Sequence, residues 1–204
     1  MKAFPTLTLA LAVAAAGCGS TPSTPDPPGG GSNTTATTTY RLDLRPEYEK
    51  PNPVSNAEAS GSGAATIALR VTRDPNNAIV GATADFAVNV QGFPDGSTIT
   101  AAHIHPGDAS TTGTIIVDTG LAAGEAALSN GAASFQKTGR VVSADLAQGI
   151  LNAPENYYFN VHSAMNPGGV VRAQLNNTGG AEDPGPKPPD PEDPYYPPVP
   201  DSTR

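Results

Sequence analysis

Between Tyr40 and Leu175 apolar residues return at every second position, in short runs that glycine and proline interrupt. The clearest run sets Ala65, Ile67, Leu69 and Val71 against Thr66, Ala68, Arg70 and Thr72. A period of two belongs to a strand with one buried face, and it does not fit the 3.6-residue period of a helix. Tyr40, Leu42 and Leu44 repeat the pattern against Arg41 and Asp43, and Phe86, Val88 and Val90 repeat it again. Ile99 to His105, Tyr157 to His162 and Val170 to Leu175 follow, with Ala132 to Thr138 as a weaker candidate. Ile115-Ile116-Val117 reads as a short strand apolar on both faces. Pro46, Pro51 and Pro53 make a loop, Asp74-Pro75-Asn76-Asn77 a turn, and Asn166-Pro167-Gly168-Gly169 a hairpin turn. One helix is expected, with Ser143 as its cap and Leu146 and Ile150 four apart on one side. Glycine and proline number 22 each, which suits many short strands. The expectation is an all-β chain: one antiparallel sandwich or barrel over residues 40–176, long enough for a core without disulfides.

The flanks have another character. Lys2 precedes an apolar run from Leu7 to Ala16, too short for a comfortable membrane span, so residues 1–17 read as a signal peptide. Ala15-Ala16-Gly17-Cys18 resembles a bacterial lipobox, with Ala15 where leucine is commoner. The resemblance implies cleavage before Cys18, the only cysteine, and its lipidation; a plain secretory signal with an incidental cysteine is the other reading. Gly19 in place of aspartate then implies the outer membrane if the cell is Gram-negative. Residues 18–39, rich in Ser, Thr, Pro and Gly, read as a flexible linker reaching about 25 Å. Residues 177–204 carry nine prolines and six acids in the stretch from Thr178 to Arg204 and read as a disordered spacer, or as a docking strip for an envelope protein or cell-wall ligand.

Net charge is −8 and no Lys/Arg cluster occurs, which excludes nucleic acid as a partner. No GxSxG, phosphate-binding loop or dinucleotide fingerprint is present. The chemistry-bearing residues are the three histidines. His103 and His105 stand two apart in a strand and so share a face, with Ile104 on the other. If the strand carrying His162 lies nearby, three imidazoles converge, a donor set suited to copper or zinc, with Asp108 as an additional oxygen ligand. The alternative is structural: the rings hydrogen-bond backbone or carboxylates at a sheet corner. Arg172 shares a face with Val170 and Gln174 and is expected to pair with Asp108 or Asp118. Ser163 and His162 point to opposite faces and cannot form a hydrolase pair.

Taken in order, Leu42 to Val54, Gly61-Ser62-Gly63-Ala64-Ala65, Ala102-His103-Ile104-His105, Gly113-Thr114-Ile115-Ile116-Val117, Tyr158-Phe159-Asn160-Val161-His162 and Asn166-Pro167-Gly168-Gly169-Val170-Val171-Arg172 resemble a CHRD domain. The resemblance covers nearly all of residues 40–176 and implies an all-β extracellular module with no established catalytic activity. The chain departs from the family pattern at Val170, where an acid is usual, and at Ala173, where a glycine is usual. His103-Ile104-His105-Pro106-Gly107-Asp108 is also similar to the HVH and Gly-Asp sequence of copper/zinc superoxide dismutases. Three histidines and one cysteine exclude that family's bridged two-metal site and its disulfide, which leaves a single copper or zinc ion. The expected function is a lipid-anchored, non-catalytic binding or assembly module of the cell envelope; the alternative is an extracytoplasmic metalloprotein with a redox site.

Overall fold

The computed structural model describes residues 31–176. The signal peptide with Cys18, the linker up to residue 30 and the tail from residue 177 lie outside the described residues. Eight strands form: β1 (Thr34–Leu44), β2 (Ser62–Arg73), β3 (Ile79–Gln91), β4 (Ile99–Pro106), β5 (Val117–Asp118), β6 (Ala133–Val141), β7 (Tyr157–Ser163) and β8 (Val171–Gln174). Among the described residues one α-helix, α1 (Ala144–Asn152), precedes β7, and three short 3-10 turns lie at Pro46–Tyr48, Ala57–Ser60 and Pro154–Asn156. Two four-stranded antiparallel sheets result, one in the order β1-β2-β3-β6 and the other β5-β4-β7-β8. Of the antiparallel sandwich and barrel that the two-residue period allowed, the sandwich is the architecture found.

The period puts one apolar face of each sheet into a shared core. Leu42, Ile67, Phe86 and Val88 come from the first sheet, and Ile104, Phe159, Val161 and Val171 from the second, all nearly inaccessible to solvent. The Phe86 and Phe159 rings stack across the interface with centroids 5.8 Å apart. Each such ring removes a large apolar area from water, the main favourable term in folding. At Arg45 the chain leaves the first sheet and bonds the edge of the second, exchanging two backbone hydrogen bonds of 3.0 and 3.1 Å with Arg172. Ser143 caps α1, its hydroxyl accepting from the Leu146 N–H at 3.3 Å. Gly149 belongs where it stands, because a Cβ there would lie 2.5 Å from the Tyr157 hydroxyl.

Two boundaries differ from expectation. β1 begins at Thr34, so six residues assigned to the linker are paired with β2, from Thr34 opposite Arg73 to Thr39 opposite Ala68. Their side chains are all exposed, so no apolar period marks them. What holds them is backbone pairing by β-branched residues, with a Thr35–Thr72 hydroxyl contact of 2.9 Å. The Ile115-Ile116-Val117 run is the second correction. Only Val117 and Asp118 enter a strand, and Ile115 is 53% exposed. Ile116 instead bonds the Ile104 carbonyl at 3.0 Å as the end of a loop.

No helix among the described residues is long and apolar enough to cross a membrane.

Candidate metal centre

The second sheet turns its other face away from the core, and that face is polar. Antiparallel register places His103 of β4 opposite Asn160 of β7 and Asp118 of β5, and sets Asn160 opposite Arg172 of β8. The next rank aligns His105 with Tyr158 and Tyr158 with Gln174. Water does not cover this layer. In β7 every residue from Tyr158 to Ser163 is buried, whichever face it takes. The 107–113 loop closes over one side: Tyr158 accepts from the Gly113 N–H at 3.2 Å, and Gln174 donates to the Gly107 carbonyl at 2.9 Å. Glu49, from the proline-rich loop after β1, and the β7–β8 turn cover the other side.

The three histidines converge as the sequence suggested. One ring nitrogen from each of His103, His105 and His162 lies within 4.8 Å of the others. His103 Nδ1 and His162 Nε2 are 3.0 Å apart. Two tautomers follow from the partners, because a carbonyl only accepts. His105 Nδ1 donates to the Gly113 carbonyl at 3.0 Å, and His162 Nδ1 donates to the Pro167 carbonyl at 2.9 Å. Nε2 of both rings therefore carries a lone pair; that of His105 is buried without a hydrogen-bond partner, and that of His162 faces His103 Nδ1.

Electrostatics keeps the rings neutral. Burial, reinforced by the neighbouring His162, lowers the His103 pKa to about 4. The Asp118 carboxylate, 3.7 Å from His103 Nε2, pulls the other way, but it is largely exposed and screened, so burial prevails. Burial also lowers His105 and His162 against the opposing effect of their carbonyl partners. The neutral imidazole is the form that ligates a metal.

Two expected partners are placed elsewhere. Asp108 is not beside the histidines: its carboxylate accepts from the Ser110 N–H and hydroxyl and the Thr111 hydroxyl, at 2.7 to 3.0 Å, and caps a turn. Those bonds, the Ser110 hydroxyl first, hold its pKa down at about 2. Arg172 pairs with neither the Asp108 nor the Asp118 carboxylate. Its guanidinium donates to the Asp108 backbone carbonyl at 2.6 Å and the Gln174 side chain at 3.0 Å, and lies 3.4 Å over the Tyr158 ring. Tyr158 in turn stacks on His105, at 4.9 Å and 7° between planes. Ser163 takes the opposite face from His162, as expected, and its hydroxyl donates to the buried Glu58 carboxylate, which also accepts from Asn166 at 2.6 Å.

Sequence reasoning passed over Asn160, Tyr158 and Glu49. Asn160 and Tyr158 stand two and four residues before His162, so strand alternation was the signal that could have found them. Glu49 sits in an irregular loop, where no period exists to read.

A family model for the CHRD domain matches residues 40–175, about two thirds of the chain. No curated protein and no solved structure matches it. The ordered motifs, the two-sheet fold and this match agree, and the chain belongs to the CHRD domain family, which supports a non-catalytic module.

Proposed function

We propose that the chain is a non-catalytic metal-binding module of the cell envelope, taking one zinc or copper ion on His103 Nδ1, His105 Nε2 and His162 Nε2. One observation carries the reading: three buried imidazoles meet with the Nδ1 protons of two of them committed to backbone carbonyls. Metal-ligating histidines are oriented in this way, by a carbonyl or carboxylate on the far nitrogen. Zinc–nitrogen bonds of about 2.0–2.1 Å space tetrahedral ligands roughly 3.3 Å apart. The 3.0 Å between His103 Nδ1 and His162 Nε2 is close to that spacing. Before a metal enters, one proton must lie between these two nitrogens. His162 has its own on Nδ1, so His103 supplies it; ligation then moves that proton to His103 Nε2, the nitrogen that faces Asp118.

Titration calorimetry with Zn²⁺ or Cu²⁺ should give one site. Metal at a hundred times its dissociation constant should stabilise the fold by about 2.7 kcal/mol in thermal melts. Affinity should fall below about pH 6 as protons compete for the rings. His162→Ala should lose both the binding and the metal-dependent shift. A wild-type protein that binds neither ion saturably would refute the reading. Envelope placement rests on the lipobox-like residues ending at Cys18. Cys18→Ser should move the protein from the membrane fraction to a soluble or uncleaved form, and unchanged partition and mass would contradict the anchor.

A further inference from the structure

We propose that Asn160 Oδ1 is the fourth ligand of this centre, so that protein donors alone complete the coordination sphere and the ion acts as a staple between β4 and β7. The inference rests on the metal-binding reading above. Asn160 is two residues before His162 on the same face of β7, and its register partner is His103. It is 1% exposed, and its Oδ1 has no hydrogen-bond partner.

The orientation of the amide is set by its surroundings. Nδ2 lies 3.4 Å from the Gly168 carbonyl. A Cβ on Gly169 would fall 2.5 Å from Nδ2 and 2.6 Å from each Glu49 oxygen, so the amide nitrogen and the carboxylate occupy the same corner. Gly169, with φ near +135°, lets the turn pass beneath them. With Nδ2 on the Gly168 carbonyl and in the corner of the Glu49 carboxylate, Oδ1 is the free end of the amide, on the face of the second sheet that carries His103, His105 and His162.

His105 offers that oxygen no proton. Its single N–H is spent on Gly113, and its Nε2 is likewise buried without a partner. Two buried lone pairs on one face of the second sheet thus go unmet, at a cost of about 1–3 kcal/mol per group. A cation satisfies both at once. The donor set becomes three imidazole nitrogens and one amide oxygen, each on a strand rather than a mobile loop. Closed four-coordinate sites hold structure, whereas reactive ones keep a position for water or substrate. A saturated site accords with a family of non-catalytic character and opposes a centre that binds water or substrate at the metal.

Co²⁺, bound to the full-length protein as a probe for zinc, reports coordination through its visible absorption. The wild type should take up one Co²⁺ with an intense four-coordinate spectrum that added azide leaves unchanged. Asn160→Ala should bind Co²⁺ weaker by about tenfold or more, and azide should now alter its spectrum by entering the vacated position. If azide changes the wild-type spectrum, three histidines bind the metal without Asn160 and this inference falls alone. If the wild type takes up no Co²⁺, Zn²⁺ or Cu²⁺, the metal-binding reading falls with it. The wild-type azide measurement decides even where the variant fails to fold.

Discussion

The outer faces of the two sheets differ although their strands share one period. Along β2 buried positions alternate with exposed or half-buried ones from Ala64 to Val71, and β1 shows water a row of threonines. Along β7 every residue from Tyr158 onward is buried. Polar groups on the first sheet are hydrated, and an ion pair such as Arg70–Asp85, 3.1 Å long and half in solvent, contributes about 0–1 kcal/mol. Polar groups on the second sheet must find partners inside the protein. Glu49 Oε1, His105 Nε2, Asn160 Oδ1 and Arg172 Nη1 find none among the described residues. A polar residue in a strand therefore has no fixed meaning. Its weight depends on whether a loop lies over it, and unmet buried groups gathered in one place mark the candidate site.

The largest break in this contrast should come from Gly169→Ala. A side chain there meets both strain at a left-handed φ and the crowded Glu49 and Asn160 groups. Chemical denaturation should show a loss of about 3 kcal/mol, and retention of wild-type stability would mean the covering turn is not tightly seated.

An effect of similar size, visible only as a function of pH, should come from Glu49→Gln. Burial, opposed by Arg172 and Asn160, raises the Glu49 pKa from 4.5 to about 7. Between those values the folded protein holds a proton that the unfolded chain has released. The stability contributed by that proton is full below about pH 4.5 and is lost as pH rises through about 7. The loss in metal-free wild type should approach 3 kcal/mol by pH 8, and Gln should remove it. The histidines titrate in an overlapping window with the opposite sign. Their folded pKa values are depressed, so the stability they contribute fades as pH falls below their unfolded value. The difference between wild type and Glu49→Gln isolates the carboxyl. A pH-independent difference would show that Glu49 is not held in a poorly solvated site.

The smallest effect is expected at Thr37→Ala on the first sheet. The residue is exposed and its backbone pairing with Arg70 survives the change. A thermal melt should move by the equivalent of less than about 0.5 kcal/mol. A large loss would mean that something packs on this face, and the contrast between the sheets would weaken.

The all-β fold and the apolar core were legible in the chain, because alternation every second residue leaves one way to bury Leu42, Ile67, Phe86 or Phe159. The shared face of His103 and His105 follows from the same geometry. The six-residue extension of β1 was not legible, since exposed threonines carry no apolar period and pairing is decided by the partner strand. Asp108 and Arg172 show the same limit. A carboxylate three residues after His105 reads as an oxygen ligand until the hydroxyls of Ser110 and Thr111 are seen to claim it. An arginine expected to pair with Asp108 or Asp118 meets a backbone carbonyl and a tyrosine ring instead.

Local order along the chain thus determined which residues face together within a strand. Only the tertiary structure decided which strands are neighbours, so that His162, 59 positions after His103, arrives within hydrogen-bond distance of it. The tertiary structure also decided that loops, not water, cover the polar face of the second sheet. The physical reason is that side-chain direction follows from backbone geometry two residues at a time. Burial and pKa follow from everything packed around a group, and nearly all of that comes from distant sequence.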